Sequence, residues 1–493
     1  MCFPKKSDFI KISKQGSLIP VYREILADAE TPVSAFSKIA GKNSFLLESV
    51  EGGENIARYS FLGCDPYIIL SSKNGDVTVS RQGGLRRSAK EGKAGCDPLK
   101  VLKELLSEFV PIKTDGLPRF HGGAVGYMGY DIVRYIEDIS DTNPDDLNVP
   151  DCQFFLTDTL LVFDHVKHKI MIVSNARVEA SPSKAYDEAV RKIDAIEKRL
   201  RRPVRLKPIE ISRKSKRQAK LVSNMTKKGY ESSVEKAKEY IKNGDIIQVV
   251  LSQRFKTPLK ADAFDVYRAL RAINPSPYMY YFSFADLKVV GTSPEIMVRL
   301  EDGTASIRPI AGTRPRGASA DEDKKMENEL LSDEKEKAEH IMLVDLARND
   351  LGRVCENGSV KVEGLMSVEK YSHVMHIVSD VTGKLEKGRD SFDLFRASFP
   401  AGTVSGAPKI RAMQIIDELE TVRRGPYAGA VGYFDFAGNM DTCITIRTIF
   451  IKGKNAYVQA GAGIVADSVP EKEYFETVNK AKAMFKALGT AAK

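Results

Sequence analysis

Residues 427–450, YAGAVGYFDFAGNMDTCITIRTIF, contain two successive strand-like runs, YAGAVGYFDF and TCITIRTIF. Short runs rich in β-branched and aromatic residues and interrupted by glycine are typical of strands. Similar runs occur at 289–300 and 456–466. Helical patterns are found at 334–347, 408–420 and 471–487. The chain is therefore predicted to have an α+β fold, with mixed helix and strand and mostly antiparallel sheets.

Two of the predicted helices carry further signals. In the helix at 408–420, the spacing of Ala412, Ile415, Ile416 and Leu419 predicts one core-facing stripe. Before the helix at 471–487, Ser468 and Glu471 match a capping box, with Pro470 in the first turn.

The overall composition is that of an ordinary globular protein. The 493 residues are 42% hydrophobic and 29% charged, which suggests about two to three domain-sized units. The sequence has no membrane-length apolar run and no signal-peptide pattern at its start. Six separated cysteines without CxxC spacing argue against a thiolate zinc site or a disulfide framework. We expect a cytoplasmic protein without a membrane segment.

The net charge of +9 is concentrated in one basic run at 198–220. Such a run is either a stripe that binds nucleic acid or a solvated linker. We favour the linker, because no aromatic residues for base stacking lie nearby. The sequence is accordingly divided into a first domain at 15–200, a basic linker at 201–224 and a second domain at 225–488.

Two predicted helices carry paired glutamates. Glu336 and Glu339 lie three residues apart on one helical face, and Glu473, Glu476 and Lys480 share a face of another. Either set alone is ordinary surface decoration. If the two faces meet, their carboxylates form an oxygen site suited to Mg²⁺, which binds few protein carboxylates and keeps positions for water and substrate.

Other residues are suited to anion binding. Gly461, Ala462 and Gly463 either form a simple turn or leave backbone N–H groups open as a cradle for a carboxylate. Arg447, predicted in a strand, offers a planar fork for bidentate carboxylate binding, and Tyr427 offers a phenolic hydrogen bond.

The segment SIRPIAGTRPRG, residues 306–317, also has the composition of an anion clamp. Its arginines are Arg308, Arg314 and Arg316. Farther along, His373 and His376 lie in an apolar, strand-like setting, where a histidine is either a satisfied core group or a catalyst.

The order and spacing of several long segments resemble the chorismate-utilising enzymes, and among them the anthranilate synthase component I family. These segments include PIAGTRPRG, EHIMLVDLARNDLGRV, FPAGTVSGAPKIRAMQIIDELE and QAGAGIVADSVPEKEYFETVNKA. The resemblance implies the two-domain chorismate-binding-enzyme fold, with mostly antiparallel sheets sandwiched between outer helices. The resemblance further implies that residues 15–200 form a regulatory domain and residues 225–488 form a catalytic domain.

The resemblance also implies roles for site residues. Mg²⁺ would be bound by Glu339 and Glu476, with Glu336 and Glu473 in the surrounding shell. Chorismate would be bound by Gly312, Thr313, Tyr427, Arg447, Gly461, Ala462, Gly463 and Lys480. The implied catalytic residues are His376, Glu295 and Thr313.

The implied reaction converts chorismate and ammonia to anthranilate and pyruvate. Relatives that make aminodeoxychorismate commonly carry a nucleophilic lysine at the position of Ala311, and isochorismate-forming relatives carry a lysine base at that of Gln248. Because this sequence has alanine and glutamine in place of these two lysines, free ammonia is favoured as the nitrogen source. Because no G-x-C-x-G nucleophile elbow is present, a separate glutamine amidotransferase subunit is expected in a hetero-oligomer. The alternative enzyme is aminodeoxychorismate synthase component I of folate biosynthesis. The alternative that is not an enzyme is a basic protein that binds nucleic acid through residues 198–220.

A second site is implied in the regulatory part. LLES, residues 46–49, resembles the family element for tryptophan feedback inhibition, paired with NPSPYM, residues 274–279. The tryptophan-binding residues would be Ser49, Pro277, Tyr278 and Met279. The alternative is that SPYMYYF is only an edge turn and a buried strand.

Overall fold

The computed structural model describes residues 1–49, 58–82, 87–89, 96–114, 116–204, 206–210, 221–371 and 374–492. The helices are α1 (Lys6–Ile12), α2 (Pro32–Ile39), α3 (Pro98–Ser107), α4 (Pro182–Leu200), α5 (Lys227–Lys242), α6 (Ala263–Ile273), α7 (Ala320–Ser332), α8 (Glu334–Gly352), α9 (Ser391–Ser398), α10 (Lys409–Leu419) and α11 (Pro470–Ala491), with 3-10 turns at Tyr130–Tyr135 and Gly402–Val404.

The strands are β1 (Leu18–Leu26), β2 (Asn43–Glu48), β3 (Tyr59–Cys64), β4 (Ile68–Lys73), β5 (Asp76–Arg81), β6 (Arg87–Ala89), β7 (Gly123–Met128), β8 (Cys152–Thr157), β9 (Thr159–Asp164), β10 (Lys169–Arg177), β11 (Val222–Ser223), β12 (Gln248–Pro258), β13 (Tyr278–Phe284), β14 (Leu287–Ser293), β15 (Ile296–Glu301), β16 (Thr304–Ile307), β17 (Ile310–Pro315), β18 (Lys361–Lys370), β19 (Val374–Lys384), β20 (Gly406–Ala407), β21 (Ala430–Asp435), β22 (Met440–Ile444), β23 (Thr448–Lys452) and β24 (Asn455–Ile464).

These strands form two large antiparallel sheets. The first sheet has the order β1-β10-β9-β3-β2-β13-β14-β23-β24-β12-β11, and the second has the order β17-β19-β16-β15-β22-β21-β7-β8-β4-β5-β6. Each sheet contains strands from both parts of the chain, joined by the β2–β13 pair in the first and the β7–β21 pair in the second. Both sheets therefore combine strands from before and after residues 201–224. The division of the sequence into two domains at this linker stays a prediction.

The two sheets pack face to face, with helices on their outer faces. Because side chains alternate along a strand, β13 contributes to two layers. Phe284 contacts Tyr127 of the second sheet with ring centroids 5.6 Å apart, and Tyr281 contacts Tyr267 of α6 at 5.9 Å. Helix α9 contacts β15 of the second sheet, and helix α10 contacts β12 of the first. Antiparallel sheets between outer helices are thus confirmed.

The segment 427–450 connects the two sheets. β21 and β22 pair in the second sheet, whereas β23 belongs to the first. The chain crosses between them at 445–447, where Arg447 adopts a left-handed φ of 51°. The prediction that Arg447 lies in a strand is wrong, because the apolar run spans this crossing. The run at 289–300 is likewise divided, between β14 of the first sheet and β15 of the second.

The three predicted helices correspond to α8, α10 and α11. The predicted stripe of α10 is buried, as its residues Ala412, Ile415, Ile416 and Leu419 confirm. The capping box is wrong, because Pro470 occupies the first helical position and makes Val469 the N-cap. The Ser468 hydroxyl instead accepts a preceding backbone N–H at 3.1 Å, and Glu471 pairs with Lys227 at 2.5 Å.

Three further sequence features have structural counterparts. All six cysteines are buried and free of disulfides. No helix among the described residues has both the length and the apolar character needed to cross a bilayer. Residues 205 and 211–220 of the predicted basic linker lie outside the described residues.

Candidate active site

Arg447, at the crossing between the sheets, lies at the centre of a polar cluster. Its guanidinium donates to the Lys480 carbonyl of α11 at 2.7 Å. Burial lowers its pKa, while Tyr427 and Glu476 act in the opposite direction. Arg447 also lowers the pKa of His376. Predicted residues from three other parts of the sequence therefore lie within electrostatic range of the Arg447 guanidinium.

Lys480 connects α11 to β24. Its ammonium lies 2.6 Å from a Glu476 carboxylate oxygen, one turn earlier, and donates to the Gly461 carbonyl at 3.0 Å. Gly461, Ala462 and Gly463 lie within β24 and pair with β12. The interpretation of these three residues as a turn is therefore wrong.

One edge of β24 is nevertheless open at this point. β23 pairs with β24 only over residues 455–458. The Gly461 carbonyl faces this edge, and in an antiparallel strand the N–H of the same residue faces the same way. A Cβ at Gly461 would lie 2.8 Å from the Tyr427 hydroxyl, so only glycine allows this approach. Burial raises the pKa of Tyr427 to about 12, which keeps its hydroxyl protonated as a donor.

The glutamates of α8 and α11 lie close enough to repel one another. Burial raises the pKa of Glu339, and Glu336 and Glu476 raise it further, with Lys480 opposing. Burial also raises the pKa of Glu473. Within the described ranges, no group of three or more His, Cys, Asp or Glu side chains is arranged to hold a metal ion. The two helices therefore bring carboxylates together without forming a complete protein cage.

The arginines of the 306–317 segment are paired with protein carboxylates. Their partners are Glu369 and Asp380 for Arg308, Glu329, Asp333 and Glu336 for Arg314, and Asp323 for Arg316. The interpretation of this segment as a set of free anion clamps is wrong. Arg314 instead lies 3.3 Å from Glu336, so it holds one of the clustered glutamates.

His376, on β19, is held by the segment that contains Gly312. Its Nδ1 lies 2.8 Å from the Gly312 carbonyl and 3.1 Å from the Thr313 hydroxyl. Since a carbonyl can only accept, Nδ1 carries the proton and Nε2 is the free nitrogen. Burial lowers the pKa of His376, so the imidazole is neutral at pH 7. His373 lies outside the described residues.

Glu295, between β14 and β15, is a buried carboxyl beside this cluster. Burial raises its pKa to about 7, with Thr403 and Lys480 acting in the opposite direction. It lines a small cavity together with Leu343, Leu346 and Thr403. A carboxyl that titrates near neutral pH is suited to both giving and taking a proton.

A second cavity lies between the two sheets. It is lined by all four residues predicted for tryptophan, Ser49, Pro277, Tyr278 and Met279, together with Phe61 and Tyr433. The Ser49 hydroxyl is buried and has no hydrogen-bond partner among the residues that the structure describes. The cavity therefore combines aromatic walls with one unsatisfied polar group.

Sequence reasoning missed two groups beside the cluster. Thr403 lines the Glu295 cavity, and Arg424 forms a fully buried ion pair with Glu420 at 2.6 Å. The only sequence signal for this pair is the i,i+4 spacing of opposite charges after an apolar helix, which is also common on surfaces.

Comparisons with known proteins cover nearly the whole chain. A family model described as chorismate binding enzyme matches residues 49–486. Anthranilate synthase component 1 of Acetivibrio thermocellus is 48% identical, covering 100% of this chain and 99% of the relative. That of Aquifex aeolicus is 50% identical, covering 98% and 97%.

Solved structures agree with these sequence relatives. The crystal structure of anthranilate synthase component I from Streptococcus pneumoniae TIGR4 matches with a TM-score of 0.76 at 38% identity, covering 94% of this chain and 99% of the other. The menaquinone-specific isochorismate synthase of Escherichia coli matches with a TM-score of 0.70 at 19% identity, covering 98% of each chain, and shares the fold.

Proposed function

Because this chain belongs to the chorismate binding enzymes, we propose that it converts chorismate and ammonia to anthranilate and pyruvate, the first committed step of tryptophan biosynthesis. Similarity over the full length to relatives named anthranilate synthase component 1 supports this reaction. The observation that carries it is the meeting of Arg447, His376 and two clustered glutamates at one crossing of the sheets.

Chorismate is a dianion, and the cluster offers a group for each carboxylate. Arg447 supplies a guanidinium, the Tyr427 hydroxyl donates a hydrogen bond, and the open edge of β24 offers backbone N–H groups at Gly461 and Gly463. Lys480 orders this wall by bonding the Gly461 carbonyl. These groups orient the ring relative to His376.

Glu339 and Glu476 fit a magnesium ion. Burial raises the pKa of Glu339, repulsion from Glu336 and Glu476 raises it further, and a divalent cation would relieve this repulsion. Mg²⁺ binds through one or two carboxylates plus water and substrate, which agrees with a pair of glutamates as its protein ligands. When bound, it would hold the ring carboxylate of chorismate and offset its charge.

Two buried positions favour free ammonia as the nitrogen donor. Ala311 lies in β17 paired with Ile377, where its methyl group provides no nucleophile. Gln248 is buried, with its amide near Gly463, and an amide is too weak a base to activate water. Ammonia already has a nucleophilic lone pair, so it can add at ring C2.

Proton transfers are assigned to two groups. Ammonia that adds at C2 releases a proton. Nε2 of His376, which is free because Nδ1 is held by Gly312, would take up a proton and pass it to the C4 hydroxyl, so that this group leaves as water. Thr313 orients the imidazole. Glu295, with a pKa near 7, would accept the C2 proton as pyruvate is eliminated.

Two further features belong to this proposal. Ammonia would come from a separate glutamine amidotransferase subunit in a cytoplasmic hetero-oligomer, and tryptophan would inhibit by binding in the aromatic cavity at Ser49. The unsatisfied Ser49 hydroxyl can bond a polar group of the inhibitor, while Tyr278 and Met279 contact its ring.

Identification of the product tests the proposed reaction. The purified chain is incubated with chorismate, Mg²⁺ and ammonium, and the products are separated by chromatography. We expect fluorescent anthranilate together with pyruvate. A product that retains its enolpyruvyl group would instead indicate aminodeoxychorismate synthesis. Glutamine in place of ammonium is expected to give no turnover, and rapid turnover with glutamine would contradict the need for a partner.

A further inference from the structure

A buried ion pair lies directly beneath the proposed substrate pocket. Glu420 follows α10, and Arg424 comes four residues later, with 6% and 2% of their surfaces exposed. The guanidinium donates to both carboxylate oxygens, at 2.6 and 3.0 Å. Because burying two charges costs free energy that a good geometry only partly returns, stability alone is a weak explanation for this pair.

The pair binds two separate backbone segments. Arg424 donates to the Val250 carbonyl of β12 at 2.6 Å and to the Val404 carbonyl of the 3-10 turn at 2.7 Å. Glu420 accepts from both the backbone N–H and the hydroxyl of Ser252, each at 2.8 Å. One side-chain pair therefore fixes β12 and the 3-10 turn relative to the end of α10.

Each of these segments adjoins a wall of the site. On β12, Val250 pairs with Gly463, and Ser252 pairs with Gly461. The 3-10 turn contains Thr403, which shares a cavity with Glu295. The guanidinium also lies 5.6 Å from the ring centroid of Tyr427, within the range of a cation–π contact.

We propose that Arg424, held by Glu420, is a positioning residue that sets the open edge of β24, the Tyr427 hydroxyl and the Thr403 turn at the spacing needed to bind chorismate. The identity of this ligand rests on the proposed function. Arg424 lies behind β12 and the 3-10 turn, and it acts by holding these two segments in place. Its effect therefore differs from that of a substrate contact, because it moves several contacts together.

The test compares Arg424→Lys with Arg134→Lys. Arg134 forms a half-buried pair with Asp417 of helix α10 at 2.9 Å. Its other hydrogen bonds go to Asp131 and the Ile139 carbonyl, outside the segments that Arg424 holds. Lysine keeps the charge but cannot reach two carboxylate oxygens and two carbonyls at once. We expect Arg424→Lys to raise KM and the calorimetric Kd for chorismate at least about tenfold, as expected for a displaced contact. Arg134→Lys should lower Tm comparably and leave both constants unchanged.

Unchanged chorismate constants in a folded Arg424→Lys chain would overturn the positioning role, since a merely structural residue alters the folded fraction and leaves KM intact. If Arg424→Lys does not fold, Glu420→Asp shortens the pair by one methylene and takes its place, with the same expected and contradicting results. A wild-type chain that binds chorismate but forms no anthranilate would contradict the proposed reaction alone, and the calorimetric Kd would still decide the positioning role.

Discussion

The polar cluster at the sheet crossing and the aromatic cavity between the sheets handle charge in opposite ways. In the cavity, Asp441 is shared by the Tyr278 hydroxyl at 2.9 Å and the Arg299 guanidinium at 3.1 Å. In the cluster, burial and the like charges of Glu336 and Glu476 raise the pKa of the Glu339 carboxyl, and Lys480 offsets this rise only in part. Satisfied charges beside apolar walls suit a site that only binds, whereas unbalanced charge suits one that awaits a cation and an anionic substrate.

The largest effect is expected from removing one of the clustered charges. Glu339→Gln keeps the shape of the side chain but removes the ionised oxygen proposed to bind Mg²⁺. We expect kcat/KM for chorismate to fall about a thousandfold, since metal stabilisation of charge supplies several kcal/mol. Calorimetry should also show weakened Mg²⁺ binding.

The same substitution tests the cost of ionising Glu339 in these buried, like-charged surroundings. Because the pKa of Glu339 is raised, its ionised form destabilises the fold above that pKa. Without Mg²⁺ at pH 7, Glu339→Gln should therefore unfold at the same temperature as the wild type or higher. Glu334→Gln, on the exposed start of α8, is the matched control and should change neither activity nor Tm. A clear drop in Tm for Glu339→Gln would contradict the excess of charge in the cluster.

The second effect concerns the buried carboxyl beside the cluster. With the pKa of Glu295 near 7, its ionised form becomes populated as pH rises through that value, so kcat should rise over the same range. Glu295→Gln should lower kcat about a hundredfold, as expected for a lost general base, and remove this limb of the pH profile. A limb that survives the substitution would assign the titration to another group.

Stability gives a second readout for Glu295. Between its ordinary carboxyl pKa and about 7, the folded state holds a proton that the unfolded state has lost, so stability falls as pH rises through this window. Glu295→Gln should flatten that decline in the free energy of unfolding. An equally steep decline in the variant would show that Glu295 is not the buried carboxyl responsible.

The contrast between the two regions was only partly predictable from sequence. Helical spacing predicted that Glu339 and Glu476 lie on the acidic faces of two different helices, but only the structure shows that these two faces lie close together. Strand patterns predicted the sheets, yet Arg447 was assigned to a strand because an apolar run looks the same when it crosses between two sheets. The pairing of Arg316 with Asp323 depends on how α7 packs beside the turn, which no local pattern contains.

The third effect is confined to the aromatic cavity. Ser49→Phe fills the space next to Tyr278 and Met279, so tryptophan should no longer fit. We expect its inhibition constant to rise at least about tenfold, since overpacking a filled site costs about 1–3 kcal/mol, while turnover without tryptophan stays unchanged. Initial rates across a tryptophan titration measure both. Inhibition equal to that of the wild type would place the inhibitor elsewhere.

The smallest effect is expected at Arg316 in the 306–317 segment. Its charge is balanced by Asp323, although the sequence suggested a free anion clamp. Arg316 lies 2.5 Å from Asp323 and donates to the Tyr371 carbonyl at 2.7 Å, so its guanidinium is already occupied. Arg316→Gln should therefore change KM for chorismate by less than about twofold, as expected for a partly exposed ion pair outside the substrate site. Steady-state kinetics at low and high salt check this, because a guanidinium that bound substrate would give a large, salt-dependent KM change. Such a change would show that chorismate binds at the 306–317 segment and not at Arg447. The contrast between the unbalanced charge of the cluster and satisfied charge elsewhere would then be wrong.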